Sequence, residues 1–70
     1  MFEIGDLIRL NESTKNLNWL IRPGSFGTIV GITYTGQWRV HFFEFSKKYN
    51  HYYNVEYWLE PDWIDKIDEV

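Results

Sequence analysis

Seventy residues allow one domain, and a domain that small buries only about 60% of the surface its unfolded chain exposes. The chain has no Cys, which excludes disulfides and thiolate metal sites, so its fourteen Phe, Tyr and Trp residues are the material left to staple it. A net charge of −3 argues against the basic face that grips phosphate backbones without sequence preference.

The opening Met1-Phe2-Glu3-Ile4-Gly5-Asp6 lacks the basic start and apolar stretch of a secretory signal, which makes the cytoplasm the default expectation. Gly5 to Leu10 predicts a first strand, with Ile8 and Leu10 on one face and Arg9 on the other. Asn11 to Gly24 predicts a long loop, closed by a Pro23-Gly24 turn. Trp19-Leu20-Ile21 is an apolar island within it, expected to pack back over the barrel mouth or to form a short extra strand or turn. Phe26 to Tyr34 is a second strand rich in β-branched residues, and Gly27 and Gly31 inside it predict a bend or bulge. Tyr34-Thr35-Gly36-Gln37 predicts a hairpin turn.

Trp38 to Phe45 alternates as a third strand, Ser46 to Asn50 is a polar loop, and Tyr52 to Leu59 is a fourth strand. Pro61 favours the first position of a helical turn, so Glu60 to Trp63 reads as one 3-10 turn, followed by a last strand at Ile64 to Ile67. The expected fold is one all-β domain over residues 1–70, a closed five-stranded barrel with a long first loop and a one-turn helix before the last strand.

Gly5-Asp6-Leu7-Ile8-Arg9-Leu10, Gly27-Thr28-Ile29 with Ile32, Val40-His41-Phe42 and Leu59-Glu60-Pro61-Asp62-Trp63-Ile64 resemble, in order and spacing, the SH3-like barrel superfamily. Within it, the opening strand and the later Gly-Thr-Ile are similar to the small electron-transport accessory subunits. The Gly5-Asp6 start also resembles Tudor-like and translation-type barrels. These resemblances imply a binding module. The first loop is longer than in the accessory subunits, and the end of the chain is acidic where their ferredoxin-docking surface is basic.

Catalytic material is sparse, and no enzyme is expected. Ser13, Ser25 and Ser46 lie in loops without a nucleophile motif. His41 reads as a strand surface residue and His51 as part of an aromatic loop. His41, His51 and Glu44 lack metal-ligand spacing, Asp62 and Asp65 read as a solvated face, and no cofactor is expected.

The binding signal is aromatic. Phe42, Phe43, Phe45, Tyr49, Tyr52, Tyr53, Tyr57 and Trp58 crowd one segment, and neighbours on a strand point to opposite faces. A narrow barrel cannot enclose all of them, so some rings form an outer surface. Trp19, Phe43, Tyr49, His51, Tyr52, Tyr53, Tyr57 and Trp58 are the candidate residues for a protein partner, with a homodimer among the options. The six anions Glu56, Glu60, Asp62, Asp65, Asp68 and Glu69 against Lys66 would complement a basic surface, as in a bacterial or phage regulator or inhibitor. The alternative is nucleic acid, with bases stacked on Tyr49, Tyr52 and Tyr53 beside Arg39, Lys47 and Lys48. No membrane partner is expected.

Overall fold

Period-two alternation builds the core of this protein, because every strand turns at least one branched or aromatic residue to a common inner face. The computed structural model describes residues 2–14, 17 and 20–67. The strands are β1 (Leu7–Leu10), β2 (Phe26–Ile32), β3 (Trp38–Ser46), β4 (His51–Leu59) and β5 (Ile64–Lys66), with a 3-10 turn at Pro61–Trp63. They form one antiparallel sheet in the order β4-β3-β2-β1-β5. The all-β architecture, its five strands and the turn before the last one are as the sequence predicts.

The core is the inner face of this sheet. Ile8 and Leu10 come from β1, Ile29 from β2, Val40 and Phe42 from β3, Leu59 from β4 and Ile64 from β5, all buried. Ile21, from the long first loop, is buried with them. Leu17 and Leu20 pack partly against the same cluster, so the apolar island does fold back over the sheet. Trp19 lies outside the described residues.

Two glycines in β2 have different tasks. Gly27 sits opposite Phe42, and a Cβ there would lie 2.6 Å from Val40 Cγ1. Glycine is what lets β2 lie close over the two largest buried side chains of β3. The pairing shifts between Ile29 and Gly31: Ile29 faces Val40 and Gly31 faces Arg39, leaving Val30 as the extra residue of a β-bulge.

One expectation is corrected: the sheet is not closed. β4 and β5 stand at opposite ends of the strand order and do not pair. Leu59 and Ile64 both reach the core, but the 3-10 turn between them carries the chain across its end, and the three residues of β5 pair only with β1. Asn11 fastens that end. Its Nδ2 donates to the Asp62 carbonyl at 2.8 Å and to Asp65 Oδ1 at 3.3 Å, and its backbone N–H donates to Trp63.

Candidate functional site

The outer face of the sheet follows from the same alternation. With Val40 and Phe42 turned inward, Arg39, His41, Phe43 and Phe45 of β3 turn outward. The register of β4 then places Trp58 beside Arg39, Glu56 beside His41, Asn54 beside Phe43 and Tyr52 beside Phe45. Leu7 and Thr28 pair on the same side and extend the face across β1 and β2.

One half of this face is apolar. Tyr52 stacks on Phe43 with centroids 4.8 Å apart and planes 8° from parallel, and meets Phe45 edge-on at 4.8 Å. Phe26 and Phe43, with Leu7, line a shallow depression of about 210 Å³ floored by Gly27 and Thr28. The rings remain open to solvent: Phe26 is 51%, Phe43 56%, Phe45 40% and Tyr52 55% exposed. A small domain with a thin core would gain by burying such rings, and a group of them left outside is the molecule's most unusual physical feature.

The other half is polar. Arg39 Nε donates to Glu56 Oε1 at 2.8 Å, and Nη2 donates to Oε2 at 3.3 Å. That hydrogen bond, helped by the guanidinium charge, holds the Glu56 carboxyl below the usual carboxylate range, and Glu56 in turn raises Arg39. His41 Nε2 is hydrogen-bonded to Asn54 Oδ1 at 3.0 Å. Trp58, 55% exposed, ends the row.

Beside the apolar half runs a second groove of about 690 Å³, between the first loop and the tip of the β3–β4 hairpin. It gathers Arg22, Lys47 and Lys48 around Phe26 and Phe45, with Glu44 as the one anion among the described residues of its lining. Lys48 also lies over the Tyr49 ring, 5.3 Å from its centroid.

The candidate residues therefore divide. Phe43 and Tyr52 stand stacked in the apolar half of the outer face, Trp58 at its far end, and Tyr49 on the exposed hairpin tip. His51 and Tyr53 belong to the opposite side of β4, where they pack edge-on at 5.1 Å. Tyr57 is half-buried and meets Phe42 edge-on at 6.2 Å, so it serves the core. These three are not part of the outer face, because β4 alternates and they fall on odd positions with Leu59. Trp19 is outside the described residues. Among the nucleic-acid candidates, Arg39 is engaged by Glu56 at the end of β3 away from Lys47 and Lys48. His41 lies outward, while Glu44 and His51 alternate to the other side.

Phe26, Phe45 and Leu7 are members of the face that the sequence reading passed over. The signal existed: Ile8, Gly27 and Phe42 fix the inner side, and each of the three sits an odd number of positions away in its strand.

Among the described residues no group of three or more His, Asp or Glu is placed to hold a metal ion, and no helix is long and apolar enough to cross a membrane. The fold defines a class, a five-stranded antiparallel sheet in one small all-β module with an exposed aromatic face. Comparison with known proteins adds nothing narrower: no family model, no curated protein and no solved structure matches the chain.

Proposed function

We propose that this protein is a small non-catalytic docking module, a regulator or peripheral subunit that holds a protein partner against the outer face of its sheet. The observation that carries the reading is the cluster of Phe26, Phe43, Phe45 and Tyr52 with Leu7, exposed together while the opposite face of the same strands makes the core.

The magnitudes fit a reversible interaction. At 150–250 Å² per aromatic side chain, these half-exposed groups offer roughly 450 Å² of apolar surface. Covering it is worth on the order of 10 kcal/mol at about 25 cal/mol per Å². Association itself costs about 4–15 kcal/mol, so this face alone leaves at most a weak net affinity and the rim contacts set how tight the complex becomes. The rings favour a protein partner because flat apolar surface is matched by another packed surface. The Tyr52 hydroxyl adds a polar handle.

The test is affinity capture from the native cell. Wild type is compared with Phe43→Ala plus Tyr52→Ala, and with Tyr34→Ala, which lies at the β2–β3 turn off the face and is 98% exposed. The double variant is expected to lose the partner while Tyr34→Ala retains it. Equal capture by all three would refute the placement.

Nucleic acid remains the second reading, favoured by the groove that sets Arg22, Lys47 and Lys48 beside Phe26 and Phe45. It predicts binding of a fluorescent single-stranded oligonucleotide that weakens steeply as salt rises. No binding at low salt eliminates it.

A further inference from the structure

An open sheet has two edges, and this protein treats them differently. β5 is three residues long and carries Asp65 and Lys66, so it is both short and charged, the usual protection against unwanted pairing. β4 has neither safeguard. It runs nine residues, His51–Leu59, in unbroken register with β3 and without a bulge. It contains no Pro, Lys or Arg, and its only formal charge, Glu56, is already matched by Arg39 of the same chain. Among the described residues no strand lies beyond it.

We infer that the β4 edge pairs antiparallel with β4 of a second copy, about a two-fold axis at Val55, to make one continuous ten-stranded sheet. The strand is self-complementary in that register. Reversal about Val55 sets Tyr52 opposite Trp58 of the other copy, twice, and Asn54 opposite Glu56, so rings meet rings and an amide meets a carboxylate. Val55 meets itself on the core side, where it already packs partly against the buried cluster. Moving the axis to Glu56 would set two carboxylates face to face, and moving it to Asn54 would set Trp58 against turn residue Asn50.

This symmetry is why the occupant is a second copy rather than an unrelated extended peptide. A two-fold interface needs one surface to fit itself, and this edge does. Nine residues span about 30 Å of edge. With two ring pairs the contact buries on the order of 1,000 Å², the lower end of what a specific dimer uses, so the dimer is weak and concentration-dependent. Both copies turn their outer faces to the same side, which places the two apolar patches on one surface. The pairing concerns the edge and stands whether or not that face has a protein partner.

Sedimentation of the full chain between about 5 and 500 µM, a range bracketing micromolar affinities, is expected to move from monomer to dimer. Tyr52→Lys with Trp58→Lys sets ammonium groups opposite each other at both ring pairs. It is expected to weaken the dimer at least tenfold while the thermal melt stays cooperative, both side chains being exposed. Because the chain lacks Cys, Val55→Cys reports the register directly: mild oxidation is expected to give a disulfide-linked dimer, and Thr28→Cys, on the outer face, is not. A chain that stays monomeric throughout overturns the inference. So does a dimer unmoved by the double Lys variant, or one that cross-links through Thr28→Cys, which would mean face-to-face association.

Discussion

Replacing Gly27 with Ala measures how closely β2 is laid over the core. The added Cβ would stand 2.6 Å from Val40 Cγ1, 2.9 Å from Phe42 Cε1 and 3.0 Å from Phe42 Cδ1. Carbon atoms in good contact are about 3.5–4.0 Å apart, so the overlap is roughly 1 Å against two side chains that are fully buried. Overpacking of this kind costs about 1–3 kcal/mol. Alanine stiffens the unfolded chain and returns about 0.4–1 kcal/mol, leaving a net loss near 1–2 kcal/mol. For a domain this size each kcal/mol is worth about 4–8 °C, so the melting temperature should fall by roughly 5–15 °C. Gly31→Ala is the internal control. Its Cβ would meet Arg39 Nη1 at 3.0 Å, the far end of a flexible, partly exposed side chain that can swing aside. Its stability change should stay within about 0.5 kcal/mol. Adding Val40→Ala to Gly27→Ala removes the nearest clash, so the double variant should lose less than the two singles together. Urea unfolding followed by near-ultraviolet circular dichroism reads wild type and the four variants. Gly27→Ala as stable as wild type, or Gly31→Ala the worse of the two, would refute the argument.

Two further outcomes follow from the same structure. Ile21→Ala should cost about 2–4 kcal/mol, the range of a buried core residue, although Ile21 lies in a loop; a loss under about 0.5 kcal/mol in urea unfolding would mean that the loop is not part of the core. Because Glu56 titrates lower in the folded protein than in the unfolded chain, its pairing stabilises above the ordinary carboxylate range and that contribution fades as pH falls through it; Glu56→Gln should therefore unfold at lower urea than wild type at pH 7, with the gap closing at pH 3. A gap that is constant with pH would show that the ion pair contributes no linkage.

How much of this was legible in the residues depends on the kind of information each step needs. The strands are local: alternation in Trp38–Ser46 and the Gly36 turn fix β3 and its hairpin, and Pro61 fixes the 3-10 turn before β5. Face assignment is also local once a core residue is known, yet a count of rings puts Tyr53 and Tyr57 together with Tyr52 and Trp58. Composition counts rings and does not sort them by parity. Closure is not local. Whether β4 reaches β5 depends on the path of residues 60–63, which nothing in strand periodicity states. The cationic groove is equally non-local, joining Arg22 from the first loop to Lys47 and Lys48 from a turn far along the chain.

The rings of the outer face stand on β2, β3 and β4, not on loops, and each is backed by a strand whose other side is locked into the core. The surface is accordingly preorganised: little backbone freedom is left to lose when something settles on it. Any adjustment of shape falls to the incoming molecule, and substitutions that loosen Val40 or Phe42 would blur this plate from behind without touching a contacting atom.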